Sequence, residues 1–297
     1  MFAAEDEERG AEARRGPGFR SAVARAHYLA AYAESLRAWP VAHATRMVPT
    51  RFGDTHVIDC GPADAPPVAL LHGAAVSSTS WAANVAPLAA RFRVLAVDRV
   101  GDVGRSVVRR LPADADGYAI WLSDVLDALG IGRAHVVGLS YGGLLALNLA
   151  VRAPHRVDRL VAVDPGSLVP LRKRWLFKAI ASMVAPNRQR FDKLMTGFMP
   201  GLPLTAPWVE QAWIGALAWK PYKVFLHVLS DAELARITAP TLVMFGEREQ
   251  VFDGRAAGRR AKDRIINSHV VVFRGVGHAP PFECAEAFNE RVLAFLS

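Results

Sequence analysis

Cysteine is scarce in this chain of 297 residues, with Cys60 and Cys284 the only two. Two thiols cannot build the disulfide framework that staples a small secreted domain. The sequence also lacks an apolar run near the ~20 residues needed to cross a bilayer. Its first residues are acidic, where a secretory signal would be basic and then apolar. We therefore expect a cytoplasmic protein without a membrane span.

Signatures of nucleic-acid binding are missing too, although the chain is basic. It has 36 Lys and Arg against 28 Asp and Glu, which gives a net charge of +8. Most of the basic residues are Arg, and they are spread along the chain rather than grouped. Because there is no zinc-ligand spacing, basic helix or aromatic-basic RNA motif, we expect no nucleic-acid partner.

What the sequence has is the composition of an ordinary globular protein, with 52% hydrophobic and 22% charged residues. Residues 1–20 alternate acidic and basic groups around a Gly-Pro-Gly turn, which predicts a disordered tail. Apolar spacing near 3.6 predicts a helix over residues 21–39, ended by Pro40. Two short strands are expected next, at Ala44–Val48 and Thr55–Cys60.

From residue 68 onward, short apolar runs alternate with helical stretches. The predicted strands are Val68–Leu71, Val94–Val97, Ala134–Leu139, Leu160–Val163, Thr241–Phe245 and Val270–Phe273. The predicted helices are Ser80–Ala90, Tyr118–Leu129, Tyr141–Arg152, Gly254–Lys262 and Ala285–Leu296. Continuous apolar strands separated by helices are typical of a mostly parallel sheet covered on both faces. The expected fold class is α/β.

Residues 166–236 break this alternation. The segment is helical in character but interrupted by Pro186, Pro200, Pro203 and Pro207, and it holds four of the seven Trp and five of the six Lys. An insertion in a parallel-sheet domain is expected over the carboxyl edge of the sheet, where such sheets bind ligands. We predict a helical cap at 166–236 between two parts of one core, 21–165 (with the N-terminal helix) and 237–297.

The strongest local motif is Gly138-Leu139-Ser140-Tyr141-Gly142, which lies between a predicted strand and a predicted helix. A sharp strand-to-helix turn exposes a serine hydroxyl at the top of the sheet and needs small residues around it. Gly and Ser are common, so the flanking strand and helix give the motif its value. The pattern predicts that Ser140 is a nucleophile.

A serine hydroxyl needs a base to take its proton and an acid to orient that base. His278 follows the last predicted strand on a loop that reaches the same sheet edge, and we predict that it is the base. Glu249, on the loop after the strand at 241–245, is the preferred acid, with Glu247 its near neighbour. Asp164, at the end of the strand before the insertion, is the alternative acid.

The loop after Val68–Leu71 reads His72-Gly73-Ala74-Ala75. In a strand, serine turn and helix of this kind, that loop supplies one backbone N–H to the oxyanion hole, and the residue after the nucleophile supplies the other. The donors would be Ala74 and Tyr141. We expect His72 to support the loop rather than to react or to bind zinc, since no metal motif accompanies it.

These motifs resemble the α/β-hydrolase superfamily over nearly all of residues 45–297, and more narrowly bacterial carboxylesterases of the naproxen-esterase type. The likeness lies in TRFGDTHVIDCGPADAPPVALLHGAAVSSTSW, AVDRVGDVGRS, GLSYGG, GERE and GVGHAPPFECAEAFNERV. In such enzymes the acid after the seventh strand can be Glu, which implies that role for Glu249. Asp98, Asp102 and Ser106 are then structural turn residues. This chain differs from members of the superfamily that use an Asp nucleophile in place of the serine, and from members that carry the motif HGGPG.

The resemblance implies a serine hydrolase that cleaves carboxylic esters through an acyl-enzyme, acting on a small-molecule substrate without a metal or organic cofactor. An alternative keeps the triad for thioester, lactone or C–C bond hydrolysis, or for acyl transfer or cyclisation. A third reading is a non-catalytic scaffold that binds a ligand, because a fold alone does not fix function. Whether the chain forms a homodimer is left open by the sequence.

Overall fold

The computed structural model describes residues 18–184, 187–220 and 226–297, and its centre is one large sheet. The strands in these ranges are β1 Gly18–Phe19, β2 His43–Thr50, β3 Gly53–Cys60, β4 Pro67–Leu71, β5 Arg93–Val97, β6 Val107–Val108, β7 Ala134–Leu139, β8 Val157–Val163, β9 Trp219–Lys220, β10 Thr241–Gly246 and β11 Ser268–Phe273. The large sheet has the order β11-β10-β8-β7-β4-β5-β3-β2, with β6 added beside β3.

The six central strands run parallel, from β5 through β4, β7, β8 and β10 to β11, whereas β2 and β3 add to one edge antiparallel. Side chains alternate between the two faces, as the period of a strand requires. In β10, Leu242 and Met244 join one apolar cluster, and Val243 and Phe245 join the other. The carboxyl ends of the parallel strands therefore meet at a single edge of the sheet.

Helices cover both faces of this sheet. They are α1 Ala22–Arg37, α2 Ala82–Ala89, α3 Ala115–Ala128, α4 Tyr141–Arg152, α5 Lys173–Val184, α6 Arg188–Phe198, α7 Pro207–Ala218, α8 Asp231–Leu234, α9 Gly254–Arg264, α10 Pro280–Glu283 and α11 Ala285–Leu296. Helix α4 is buried along its length except at Arg152, because the sheet and α3 enclose it. None of the helices in the described ranges is long and apolar enough to cross a membrane.

Polar residues fix where several of these helices begin. Ser21, Asp114 and Asp253 stand just before α1, α3 and α9, and each side chain accepts a hydrogen bond from a backbone N–H of the first turn. Such caps satisfy donors that have no partner within the helix. At α8, Ser230 and Glu233 form a reciprocal capping box. These caps accompany starts within one residue of the prediction at α1 and α9, whereas α3 starts at Ala115, three residues before the predicted Tyr118.

The N-terminal end is more ordered than the sequence predicts. Gly18 and Phe19 pair with Trp219–Lys220 as a two-stranded antiparallel ribbon, so the predicted disordered tail is wrong for residues 18–20. The tail's other residues, 1–17, lie outside the described ranges. Helix α1 packs against α7, and its buried Tyr32 also reaches the core, with the Tyr32 hydroxyl 3.0 Å from the Ser78 hydroxyl and 3.3 Å from the His56 Nδ1 of β3. Helix α1 therefore contacts both the 166–236 segment and the core.

Within 166–236 the described residues form the four helices α5 to α8. Pro200 and Pro203 lie between helices, as expected, and Pro186 lies outside the described ranges. Pro207 does not interrupt a helix; it is the first residue of α7, where its missing N–H costs nothing. The side chain of Gln211 on α7 is buried and ties this segment to the core and to α1.

Three hydrogen bonds hold the Gln211 amide. Its Nε2 donates to the Tyr28 hydroxyl of α1 and to the Ser77 hydroxyl of the core, each at 2.8 Å. Its Oε1 accepts from the Thr79 hydroxyl at 2.8 Å. A buried amide with its groups satisfied in this way fixes the register of the elements around it.

Candidate active site

Ser140 occupies a strained turn between β7 and α4. Its φ is 54°, a left-handed conformation that non-glycine residues rarely adopt. The turn is possible because glycines flank it. A Cβ on Gly142 would lie 2.1 Å from the Leu71 carbonyl oxygen, and one on Gly138 would lie 2.2 Å from the Gly142 oxygen. The small residues of the motif thus allow the helix to start directly against the sheet.

His278 stands on the loop after β11 and reaches Ser140 across the sheet edge. Its Nε2 lies 2.8 Å from the Ser140 Oγ, and its Nδ1 lies 2.5 Å from the Glu249 Oε2. An ionised carboxylate only accepts hydrogen bonds, so Nδ1 carries the proton and Nε2 presents its lone pair to the serine hydroxyl. The structure thus brings together three side chains that the sequence separates by 138 and 29 positions.

Glu249, rather than Glu247, faces the imidazole. Glu249 is buried and also accepts a hydrogen bond from the Val251 N–H, whereas Glu247 is exposed and accepts from Gly275 N–H at 2.9 Å. Burial alone would raise the pKa of Glu249. The electrostatic interaction with the imidazole of His278 and the hydrogen bonds to the carboxylate outweigh burial, so the pKa of Glu249 lies below its usual range. Glu249 is therefore ionised at neutral pH.

Asp164, the alternative acid, lies at the end of β8 and is fully buried. The hydrogen bond from the imidazole Nδ1 goes to Glu249, so Asp164 stands behind the pair rather than in its place. Burial, and then the negative charge of Glu249, raise the pKa of Asp164 well above its usual range. One ligand-type atom from each of Asp164, Glu249 and His278 lies within 4.8 Å of the others, close enough for a small metal ion.

The loop after β4 lies beside the serine. A Cβ on Gly73 would be 3.7 Å from the Ser140 Cβ. The backbone N–H groups of Ala74 and Tyr141 make no hydrogen bond to any described part of the chain. They stand at the turn after β4 and at the first position of α4, where N–H groups have no helical partner. Both are free to donate to a bound oxygen.

Buried polar groups hold this loop. The His72 Nε2 accepts from the Arg99 N–H at 2.9 Å, and its Nδ1 donates to the Gly73 oxygen at 2.7 Å, which is the supporting role expected for His72. Asp102 accepts the Ala75 N–H at 3.0 Å and pairs with Arg99. Asp102 thus holds the residue next to Ala74.

The other two predicted turn residues act on the same stretch of chain. Asp98 accepts from Ser78 and from the Arg105 N–H, and Ser106 donates to the Asp98 carbonyl oxygen. These contacts fold residues 98–106 against the loop that carries Ala75. The structural role expected for Asp98 and Ser106 therefore matches their contacts.

Two further contacts hold the loop around His278, and neither was predicted from the sequence. The Glu283 carboxylate accepts from the N–H groups on both sides of the histidine, Gly277 and Ala279, each at 3.0 Å, and from Gly201 at 3.1 Å. The His278 N–H donates to the Phe198 oxygen at 2.8 Å. Glu283 follows Ala279 by four residues and Gly277 by six. Phe198 and Gly201 are about 80 residues away, and only the fold brings them to the histidine loop.

Aromatic rings line the histidine as well. The Phe198 ring from α6 and the Phe252 ring lie 5.8 and 6.2 Å from the imidazole centroid. A cavity of about 160 Å³ between α1, α2 and α7 is lined mostly by apolar side chains, including Trp208 and Phe282. Ser140, Glu249 and His278 do not line it, so it is separate from the hydroxyl–imidazole pair.

Fold and site together define a member of the α/β hydrolases. The profile of the family described as "Alpha/beta hydrolase family" matches residues 68–291, most of the chain, and the chain belongs to this family. The family resemblance and the fold class predicted from the sequence are thus confirmed.

Relatives with known names narrow the class. Carboxylesterase YbfK of Bacillus subtilis (strain 168) is 35% identical over 275 residues, covering 90% of this chain and 92% of that protein. The crystal structure of naproxen esterase (carboxylesterase NP) from Bacillus subtilis superposes with a TM-score of 0.86 at 34% identity, covering 91% of this chain and 97% of the other.

A third relative has a different name. A 2-hydroxy-6-oxononadienedioate/2-hydroxy-6-oxononatrienedioate hydrolase of Cupriavidus pinatubonensis (strain JMP 134 / LMG 1197) is 31% identical over 276 residues, covering 85% of this chain and 95% of that protein. Taken with the carboxylesterases, these relatives identify this chain as an esterase-like hydrolase of small molecules.

Proposed function

We propose that this chain hydrolyses carboxylic esters through an acyl-enzyme formed on Ser140, with His278 as the general base and Glu249 as the acid of the triad. The observation that carries the proposal is the continuous hydrogen-bonded line from Ser140 Oγ through the imidazole to Glu249, with steps of 2.8 and 2.5 Å. Carboxylesterase relatives at 33 and 35% identity support the choice of bond.

Acylation begins when the Ser140 Oγ attacks the ester carbonyl and the His278 Nε2 takes its proton. The imidazolium that forms is stabilised by the Glu249 carboxylate at Nδ1. Negative charge develops on the carbonyl oxygen, and the N–H groups of Ala74 and Tyr141 donate to it. Donors of this kind, fixed before the reaction, lower the barrier by about 3–4 kcal/mol each.

The tetrahedral intermediate collapses when the imidazolium gives its proton to the leaving alcohol, which leaves an acyl group on Ser140. Water then attacks the acyl carbon, His278 takes the water proton, and the acid product departs. The chain's own groups supply each proton transfer, so this scheme uses neither a metal nor an organic cofactor.

The 166–236 segment acts in this proposal as a cap that shapes the substrate space. Its helix α6 ends at Phe198, whose ring and carbonyl oxygen both contact His278. With Phe252 on the other side, the imidazole has apolar walls, which favours an apolar acyl or alcohol group beside it.

Hydrolysis of p-nitrophenyl acetate and butyrate tests the proposal, with the variant Ser140→Ala. We expect kcat to fall by at least ~10³-fold, because the acyl-enzyme cannot form. The matched control is Ser123→Ala on α3, whose hydroxyl only donates to the Ala119 oxygen. Its rates should equal those of the parent.

Direct detection of the intermediate makes the test sharper. Pre-steady-state release of p-nitrophenol should show a burst equal to the enzyme concentration, and a fluorophosphonate probe should modify Ser140. Equal rates for the parent and Ser140→Ala, or labelling that survives in the variant, would contradict the assignment.

A second candidate is hydrolysis of an oxo-dienedioate, and the Cupriavidus relative is the observation in its favour. The same nucleophile and base would act on a ketone carbonyl in place of an ester. Supplying both substrate classes to the purified protein and identifying the products distinguishes the two. A preference of more than tenfold in kcat/KM for the oxo-dienedioate would reverse the order of the candidates.

A further inference from the structure

Two buried carboxyl groups stand side by side behind His278, and a triad needs only one. Asp164 has no measurable exposed surface and Glu249 has 7%. Their oxygens and a nitrogen of His278 lie within 4.8 Å of one another. Two negative charges at this distance away from water repel strongly, so such a pair keeps a proton between its members.

The hydrogen-bond partners indicate which carboxyl is charged. Glu249 accepts from the His278 Nδ1 at 2.5 Å and from the Val251 N–H, both of which favour an ionised carboxylate. Asp164 has a weaker set: one backbone N–H, from Gly246, lies 3.4 Å from each of its oxygens. A carboxylate with so few donors is poorly stabilised, whereas a protonated carboxyl can donate to the oxygen of its neighbour.

We propose that Asp164 is a positioning residue of this site, a protonated carboxyl that donates a hydrogen bond to Glu249, so that the pair holds one negative charge and presents it to His278. The inference rests on the proposed function for its catalytic consequence. The direction of the two pKa shifts, up for Asp164 and down for Glu249, agrees with this placement of the proton.

A measurement of folding stability tests whether Asp164 is protonated in the folded protein, and it needs no substrate. Asp164 ionises near pH 4 in the unfolded chain but stays protonated when folded, so folding takes up a proton above that pH. Rising pH therefore destabilises the parent relative to Asp164→Asn, which cannot titrate. Urea unfolding of both proteins between pH 5 and 8 should show the ratio of their unfolding constants changing by up to tenfold per pH unit.

The comparison is matched, because Glu249, His278 and Glu283, the titratable groups that face Asp164, are kept in both proteins. Asn also suits the site: its amide can donate to Glu249 while its oxygen accepts from Gly246, and it tolerates the φ of 41° at this position. Parallel stability curves would show that Asp164 is ionised in the folded protein and would overturn the proposal.

Ester hydrolysis tests the consequence for the triad. Asp164→Asn keeps a donor to Glu249 and should stay within about threefold of the parent, whereas Asp164→Ala lacks it and should lose about tenfold in kcat with KM unchanged. Rescue by Asn but not by Ala is the signature of a positioning hydrogen bond. Equal losses in the two variants would point to packing alone.

A double variant tests whether the negative charge can move. In Glu249→Gln the repulsion is gone, so Asp164 can ionise and support the imidazolium; in Glu249→Gln with Asp164→Asn neither residue can. We expect the double variant to be at least tenfold slower than Glu249→Gln. Equal rates would overturn this part. Full activity of Ser140→Ala would instead contradict the proposed function, but it would not affect the stability test of the Asp164 proton.

Discussion

The strand-end edge of the sheet and the 166–236 segment hold their residues by different means, and two glycines show it. At the edge, a Cβ on Gly142 would lie 2.1 Å from a main-chain oxygen, where nothing can move aside cheaply. On α6, a Cβ on Gly197 would meet no atom within 4 Å. At these two positions the edge is therefore packed backbone against backbone, whereas the segment leaves space for a side chain. In the proposed function, chemistry belongs to the first region and substrate fit to the second.

The largest expected effect is on folding stability, and it tests this contrast by making the same substitution, Gly to Ala, once in each region. Gly142→Ala forces α4 away from β4 and should cost more than about 4 kcal/mol of folding stability. Gly197→Ala lies inside an exposed helix and should stabilise by about 0.5–1 kcal/mol. Urea unfolding of the two variants gives the comparison. A loss of less than 1 kcal/mol in Gly142→Ala would mean that the edge yields more than its geometry implies.

A smaller effect is expected at the bonds that join the two regions. Gln211→Ala removes three buried hydrogen bonds and leaves the Tyr28, Ser77 and Thr79 hydroxyls without this partner. We expect a loss of about 2–4 kcal/mol by urea unfolding. Gln189→Ala, an exposed position on α6, is the control and should change stability by less than about 0.5 kcal/mol. Similar values for the two would show that the buried amide does not join the 166–236 segment to the core.

The smallest effect sharpens the division between chemistry and substrate fit. Phe198→Ala removes an apolar wall beside His278 but keeps the backbone oxygen that holds the loop. We expect kcat/KM for p-nitrophenyl butyrate to fall by about tenfold, mostly through KM, and less for the acetate. Phe177→Ala, 75% exposed on α5, should leave both unchanged. A loss of the same size for acetate and butyrate would place Phe198 with the chemistry.

The same division appears in what the sequence could predict. In the core, β7, α4 and α11 have the predicted bounds, because apolar runs end there at Gly, Ser or Pro, whose backbone preferences act locally. The misses are small and also local. The helix predicted at Ser80–Ala90 opens with a 3₁₀ turn at Ser78–Trp81, and β8 starts three residues early.

The 166–236 segment was predictable only as helical. Some of its helix starts have local signals, such as Pro207 at the first position of α7 and the capping box of α8. Its contacts with α1 and with the histidine loop, in contrast, join parts that are distant in the chain. Nor does any local pattern predict that Gly18–Phe19 pairs with Trp219–Lys220. Such pairings depend on the assembled fold, and a single sequence does not record them.

For the candidate site, the sequence located the strand ends that carry Ser140, Glu249 and His278, because parallel strands bring their carboxyl ends to one edge. The sequence favours Glu249 over Glu247 and Asp164 from its position on the loop, and in the structure the His278 Nδ1 bonds to Glu249. Likewise, Glu283 forms its clamp only once α10 places its carboxylate between the histidine loop and Gly201. Contacts of this kind produce no periodic pattern in the sequence, so they cannot be predicted from it.

The bond from the His278 N–H to the Phe198 oxygen, together with the Glu283 carboxylate bridging to Gly201, ties α6 to the imidazole loop. Any displacement of α6 away from the sheet would break both contacts at once. The position of this helix and the setting of the loop that carries His278 are therefore coupled.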